Sequence, residues 1–396
     1  MFASFATSSH SRGWMYDSTE GVAAKRQATH EAAVTKLAQV ADGDEAPPPP
    51  IARDDGELLC AFYESKLQDV CKQENKHDPA RFTNRVLYTA QTYFKRFYLA
   101  MSPMEEDPKG VMLASLYVAG KVEEERIELA DLVPKYAKQL QPQALLALEL
   151  RLMEALRFQL VVRSPFRALT GLLQDLHAHI SDSGAAGRSA AALAELEFLH
   201  KSAIDRVCIA LKADVPFVHP PQQLALAALL GASDASVAAA GADAGSVDVR
   251  GWIEHRFGSG AGTPALLAQL AVVQQARAAH DVSAPGVNDR LKAIDASLKK
   301  LTRHAKKVEK AREEKLAAAE EAKREQRRLA NAGDRAADSA KLVVKLDELK
   351  KEAHATASAR LSAGELKGAS DDFVLRKRRR TEDDEEKEPK VKSEID

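Results

Sequence analysis

The chain has 396 residues, which is enough for two to three domains, and its 45% hydrophobic content can supply a sizeable core. The formal net charge is −1, so no overall field would attract nucleic acid or an acidic membrane. The three cysteines form no CxxC pair, the N-terminus has no recognisable secretory leader, and no apolar run reaches the roughly 20 residues of a spanning helix; the composition therefore predicts a soluble intracellular protein.

The first predicted element is a polar helix over residues 18–40, with Ser18 or Thr19 as its N-cap. The stretch ADGDEAPPPP follows at residues 41–50, and its consecutive prolines favour an extended, stiff linker. We therefore assign residues 1–53 to an N-terminal helix and a proline-rich linker.

Residues 54–162 have a helical apolar period throughout and lack the alternation and turn spacing of a β-hairpin. One helix start is well marked, because Asp107 can cap free N–H groups and Pro108 lacks only an N–H that would be unpaired there. The fourth helix is expected to be short and broken. The pattern predicts five helices, at residues 54–73, 81–100, 107–125, 127–140 and 141–160.

Residues 163–282 repeat this plan, with a Gly/Ala-rich interruption at residues 236–248. The helical segments lie at residues 164–180, 188–211, 219–232, 249–257 and 263–280. Two successive five-helix units predict an all-α fold made by tandem duplication.

Residues 283–353 are rich in charge and predict further helices. Leu291, Ile294, Leu298 and Leu301 form one apolar stripe that can pack on a core; beyond it the helix depends on charge pairs four residues apart. The sequence NAGD at residues 331–334 predicts a break before a second short amphipathic helix.

Residues 354–396 combine low hydrophobicity with blocks of like charge, which predicts a disordered tail. A basic run within it is typical of a nuclear localisation signal, although a solvated tail is the alternative. The run consists of Arg376, Lys377, Arg378, Arg379 and Arg380. Because acidic residues dilute the basic ones, direct nucleic-acid binding is not expected, and neither is membrane binding.

No catalytic constellation is recognisable in the sequence. The eleven histidines are scattered without metal-ligand spacing, and the nucleophile-elbow, P-loop and protein-kinase signatures are absent. We therefore expect a binding module that has no catalytic residue, no metal and no cofactor.

Two charged residues stand out on apolar helix faces. Lys121 follows the apolar run VMLASLYVAG, and Glu149 has leucines one turn before and after it, where an unpaired carboxylate is costly. Lys121 on a neighbouring helix could pair with Glu149. Alternatively, Lys121 pairs with Glu125 on its own helix and Glu149 reaches solvent; periodicity alone leaves both arrangements open.

Four segments resemble the cyclin family, and within it most of all the cyclin H group. They are TYFKRFYL at residues 92–99, MLASLYVAGKVEE at 112–124, LELRLMEALRFQLVVRSPFRALTGLLQDL at 148–176 and HPPQQLALAAL at 219–229. The resemblance extends over about residues 12–300. It implies two stacked five-helix cyclin boxes, at residues 54–162 and 163–282, with additional helices at each end.

The resemblance also implies a function, namely a regulatory subunit of the CDK-activating kinase within the transcription factor TFIIH. The implied partners are a cyclin-dependent kinase, an assembly factor and the TFIIH core, in the nucleus. A cyclin C-like subunit of the Mediator kinase module and a TFIIB-like transcription adaptor are the alternatives. The residues implied to face the kinase are Lys121, Glu149, Val118, Val122, Glu124, Phe158 and Leu160.

Overall fold

The computed structural model describes residues 5–39, 47–77, 82–125, 127–136, 141–182, 190–240, 247–258, 262–332 and 337–361. Within these ranges the secondary structure is helical without a β-strand, which confirms the all-α prediction. The helices are α1 (Ser9–Trp14), α2 (Thr19–Gln39), α3 (Arg53–His77), α4 (Asn84–Ala100), α5 (Pro108–Val122), α6 (Leu129–Tyr136), α7 (Pro142–Ala155), α8 (Pro165–Asp182), α9 (Ala190–Ala210), α10 (Pro221–Ala240), α11 (Val249–Phe257), α12 (Gly262–Gln275), α13 (Val287–Ala332) and α14 (Ala337–Leu361).

Helices α3–α7 and α8–α12 form two successive five-helix bundles that share one hydrophobic core. The central helix of the first bundle is α4, which is buried along its whole length from Val86 to Leu99 and packs on α3, α5 and α7. In the second bundle α10 packs on α8, α9 and α12. The Asp107 side chain accepts a hydrogen bond from the backbone N–H of Lys109, so α5 begins as predicted.

Several helices differ from the prediction. The fourth helix of the first bundle is short but not broken, since α6 continues through Pro134 to Tyr136. Helix α1 was missed because six residues are too few to show a period; it is held by the Ser8 N-cap and by burial of Trp14. Helix α10 continues to Ala240, into the predicted interruption, because alanine is the best helix former. Helix α13 continues through Ala332, into the predicted NAGD break.

The chain divides into two compact units, residues 1–305 and 306–396. In the first unit, the predicted stripe at the start of α13 packs against Ile51, Leu58 and Leu59. The second unit contains the rest of α13 and α14, whose surface carries predicted i,i+4 pairs such as Lys310 with Glu314. The disordered tail was predicted to begin at residue 354, but α14 continues to Leu361, so this boundary is wrong by eight residues. The rest of the predicted tail, from residue 362 onward and including the basic run at 376–380, lies outside the described residues.

A buried ion network connects α2, α3 and α4 to the second bundle. Arg26 donates two hydrogen bonds of 2.5 Å to Asp214, and Lys95 Nζ lies 3.3 Å from Glu64 Oε2 and 2.7 Å from the carbonyl oxygen of Ala213. Burial raises the pKa of Glu64, and the nearby cations offset this only in part. The ion pair between Arg26 and Asp214 thus holds helix α2 at the junction of the two bundles.

Candidate functional site

The C-terminal end of α5 presents Lys121 at the surface. The backbone N–H of Glu125 donates to the carbonyl oxygen of Gly120 at 2.8 Å, while Glu124 has a φ of 62°. This is the left-handed helix end in which the last carbonyls are capped by the following turn. A basic residue in this last turn is also favoured by the negative end of the helix dipole.

Lys121 and Glu149 are paired. The Nζ atom of Lys121 lies 2.7 Å from Oε1 of Glu149 and 4.1 Å from the centre of the Tyr117 ring. Partial burial lowers the pKa of Lys121, but the contacts with Glu149 and Tyr117 outweigh it, so the pKa is raised above its ordinary value. The Lys121 side chain is 47% exposed and that of Glu149 14%, so the ammonium group is held in place yet accessible.

The alternative prediction, in which Lys121 pairs with Glu125, is wrong in this structure, because both Glu125 and Glu123 have other partners. Glu125 accepts hydrogen bonds from the backbone N–H and the hydroxyl of Thr83, the N-cap residue of α4. Glu123 accepts a 2.7 Å hydrogen bond from the hydroxyl of Thr89. These two carboxylates anchor the end of α5 to α4, and Lys121 is left for Glu149 on α7.

Gly120 is required by close packing at the end of α5. A Cβ atom at this position would lie 2.4 Å from Cδ1 and 2.7 Å from Cγ1 of Ile127. Glycine inside a helix costs about 1 kcal/mol relative to alanine. Here the cost is offset by close packing, since Ile127 in the turn after α5 lies against the Cα of Gly120.

We expect Gly120→Ala to destabilise the protein by about 1 kcal/mol, because overpacking of about 1–3 kcal/mol exceeds the gain in helix propensity. Urea denaturation would measure this cost. Gly171→Ala is the matched control, since a Cβ there meets nothing within 4 Å and the change should stabilise α8. The double variant Gly120→Ala with Ile127→Ala should lose less stability than the sum of the two single-variant losses. Simple additivity would contradict the proposed clash.

Apolar residues of the site differ in exposure. Val122 is 37% exposed and Phe158 is 62% exposed, so both side chains are open to a partner. Leu160 is half-buried against the core, and its carbonyl oxygen accepts a 2.5 Å hydrogen bond from Tyr93. Val118 is only 2% exposed and packs in the core, so we remove it from the contact set. Glu124 is exposed at the left-handed position.

Three exposed apolar residues were missed in the sequence. Leu146 and Leu150, one helical turn apart on α7 and flanking Glu149, are 47% and 50% exposed, and Val161 is 51% exposed. Two other leucines on the same helix, Leu145 and Leu152, are fully buried. A helix that is apolar on several faces indicates a second contact surface, and this signal was present in the sequence of α7.

Phe158 is held in an unusual backbone conformation. Its φ is 55°, next to 54° at Arg157, and bulky residues rarely adopt positive φ values. The turn is held by a 2.9 Å hydrogen bond from the N–H of Phe158 to the carbonyl oxygen of Met153. Backbone strain of this kind is concentrated at functional positions, and here it supports an exposed aromatic ring.

The described residues contain no group of three or more His, Cys, Asp or Glu side chains arranged to hold a metal ion. No helix in the described part of the chain is long and apolar enough to cross a lipid bilayer.

Comparison with known proteins gives matches to two family models. Residues 74–161 match the cyclin N-terminal domain, and residues 164–280 match the cyclin C-terminal domain. The chain is 33% identical to Cyclin-H1-1 of Arabidopsis thaliana over 48% of this chain and 53% of the relative. It is 36% identical to Cyclin-C1-1 of rice, Oryza sativa subsp. japonica, over 38% of this chain and 54% of that relative. The chain therefore spans about half the length of the curated relatives it matches.

A solved structure shares the fold. It is that of the CAK complex of Chaetomium thermophilum bound to ATP-γ-S, with a TM-score of 0.60 and 23% sequence identity. The similarity covers 75% of this chain and 88% of the matched chain.

Proposed function

The chain belongs to the cyclin family, and on this premise we propose that it is a cyclin H-type regulatory subunit that binds and activates a cyclin-dependent kinase. It would supply no catalytic atom of its own. The fold is shared with a chain of the CAK complex, and the cyclin H relative is 33% identical over 193 residues.

The observation that carries this proposal is the Lys121–Glu149 pair and its apolar surroundings. The two side chains come from different helices, are hydrogen-bonded at 2.7 Å, and lie at the surface with the lysine half exposed. Exposed apolar residues accompany them on α5, on α7 and in the segment that follows α7: Val122, Leu146, Leu150, Phe158 and Val161. A fixed charge pair next to exposed apolar side chains is the composition expected of a protein-binding hot spot.

The proposed mechanism is a shift of the kinase between two states. A kinase of this class is inactive when its C-helix swings outward, because the C-helix glutamate then leaves the lysine that holds the ATP phosphates. A rigid surface that binds only the inward state favours that state by its differential affinity. Conversion from mostly inactive to mostly active requires about 5 kcal/mol, which a few desolvated hot-spot residues can supply.

The wider assembly is part of the same proposal. We infer an assembly factor and the TFIIH core as further partners, other cyclin-dependent kinases and the RNA polymerase II C-terminal domain as substrates of the complex, and the nucleus as its location. The basic run at residues 376–380 is the proposed localisation signal. If deletion of residues 376–380 abolishes nuclear accumulation of a fluorescent fusion, that role is supported. An unchanged distribution would contradict it.

A cyclin C-like function in the Mediator kinase module is the second candidate, because a cyclin C relative matches at 36% identity. The cyclin H assignment is favoured by the longer match to the cyclin H relative, 193 residues against 158. A TFIIB-like adaptor is less favoured, since the sequence has three cysteines and a zinc ribbon of the four-cysteine type needs four.

Affinity purification of the full chain from its own cells tests the proposal. Recovery of a cyclin-dependent kinase together with TFIIH helicase subunits is the expected result. Recovery of Mediator subunits instead would favour the cyclin C-like function. A purified chain that phosphorylates or hydrolyses a substrate without any kinase partner would overturn the assignment as a regulatory subunit.

A further inference from the structure

A cavity of about 350 Å³ lies within residues 1–305, at the junction of α2, the first bundle and the second bundle. Its walls come from α2, α3, α4, the connection between α9 and α10, and the segment that follows α12. This volume is within the range of sites that bind small molecules. None of its lining residues belongs to the proposed kinase-binding surface.

One part of the cavity wall is apolar. Cys60 and Ala61 on α3, Tyr98 on α4 and the following Met101 all line it. Tyr98 is 8% exposed and its hydroxyl is taken up by a hydrogen bond to the carbonyl oxygen of Glu106, so the ring offers mainly apolar surface. An occupant would therefore gain by placing a carbon skeleton here.

The carboxylates that line the cavity already have cationic partners. Asp214 is paired with Arg26, and Glu64 with Lys95 at 3.3 Å. The remaining carboxylate, Glu57, has its Oε1 atom 3.1 Å from Nε of Arg53. Charge is thus balanced among these six side chains.

Two further cations on the second-bundle side leave a surplus. The side chain of Lys212 is half-buried and makes no hydrogen bond or ion pair within the described ranges, whereas its backbone N–H donates to the carbonyl oxygen of Ile209. Arg277 is exposed, and among the described residues it donates to the carbonyl oxygens of Gln274 and Ala276 on its own segment, at 2.7 and 3.0 Å, and to no carboxylate. Nearby His280 has its Nε2 atom 3.7 Å from carboxylate oxygens of both Asp54 and Glu57, so it adds no unopposed charge.

From this arrangement we propose that the cavity binds a small organic anion, with its carboxylate or phosphate group at Lys212 and Arg277 and its apolar body against Tyr98 and Met101. The paired charges of the walls would be retained, and the two surplus cations would gain a counter-charge. Because the walls come from the N-terminal helix and both bundles, a bound anion would stabilise their junction by mass action.

The test uses the full chain labelled with ¹³C at its methionine methyl groups, titrated with phenyl phosphate and with benzoate. We expect a saturable shift of the Met101 methyl signal with a dissociation constant on the order of millimolar, typical of ligands of this size. Met112, which is 4% exposed and does not line the cavity, is the internal control. Benzylamine, benzyl alcohol and inorganic phosphate should each bind at least about tenfold more weakly, since each lacks the anion or the apolar body.

The variant Lys212→Gln with Arg277→Gln should weaken phenyl phosphate binding at least about tenfold while the unperturbed Met112 signal reports a folded core. Lys201→Gln is the matched control, because Lys201 is an exposed lysine on α9 that pairs with Glu197, away from the cavity. The proposal is overturned if Met101 does not respond to either anion, if benzylamine binds equally well, or if the double variant binds as the wild type does.

Discussion

Replacement of both Lys121 and Glu149 by alanine is expected to abolish activation of the partner kinase, with a loss of at least about 100-fold in a reconstituted complex. Each hot-spot residue is typically worth about 2 kcal/mol or more, so two of them account for about 4 kcal/mol and roughly a thousandfold in affinity. The stability of the free chain should change little. Lys121 is 47% exposed, and the double variant leaves neither charge without its partner, so the loss should stay near the roughly 0–1 kcal/mol of a solvent-accessible pair, or a few degrees in melting temperature.

The matched control for this prediction is Glu197→Ala with Lys201→Ala. These residues form a 2.8 Å ion pair on α9 in which both side chains are exposed, and neither residue belongs to the proposed surface. Kinase activation by this variant should equal that of the wild type. Equal activation by the Lys121/Glu149 variant would contradict the assignment of the surface.

Exchanging the charges at positions 121 and 149 tests whether the two side chains contact a partner or only link α5 to α7. Lys121→Glu with Glu149→Lys can still form an ion pair between α5 and α7, so the melting temperature should remain near that of the wild type. Kinase activation should nevertheless be lost, because the partner meets each charge with the wrong sign. If the exchanged pair activated the kinase fully, the two charges would be structural only.

Lys95→Met is expected to destabilise the protein by about 3–5 kcal/mol, the largest stability effect that the structure predicts. Lys95 is 5% exposed and is the closest cation to Glu64, which is 6% exposed. Removal of one partner of a buried pair leaves an uncompensated charge, and that costs about 3–5 kcal/mol. The midpoint of urea denaturation, compared with that of Lys201→Met at the exposed α9 pair, measures the effect.

The same variant should depend on pH in a defined direction. Burial already raises the pKa of Glu64 above its ordinary 4.5, and loss of Lys95 would raise it further. A group with a raised folded-state pKa lets the folded chain hold a proton that the unfolded chain releases, so its penalty grows as the pH rises through the folded pKa. The difference between variant and wild type should therefore be smaller at pH 5 than at pH 8.

Adding Glu64→Gln to Lys95→Met should recover most of the lost stability and remove this pH dependence, because no buried charge is then left alone. Asp214 keeps its bidentate partner Arg26 in either variant. A cost below about 1 kcal/mol for Lys95→Met would mean that water reaches Glu64 and that the network contributes little to the junction.

The sequence by itself determined the helical class, the two five-helix bundles and most helix positions. These properties follow from local features, namely an apolar period near 3.6 and caps such as Asp107 before Pro108. It also singled out Lys121 and Glu149, because a charge on an apolar helix face is unusual wherever the helix packs. Helix α1 was not predicted, because its six residues carry no recognisable period and are held by burial of Trp14.

Only the tertiary structure decided which charges meet. Lys121 could have paired with Glu125, and it does not because Thr83, 42 residues away in sequence, occupies that carboxylate. Val118 and Leu146 are both apolar residues on helices of the site, yet one lies in the core and the other is half exposed. The cavity beside Lys212 likewise arises from segments far apart in the chain. A period reports which face of a helix is buried, whereas the partner of a side chain depends on how distant helices pack, and that information is not local.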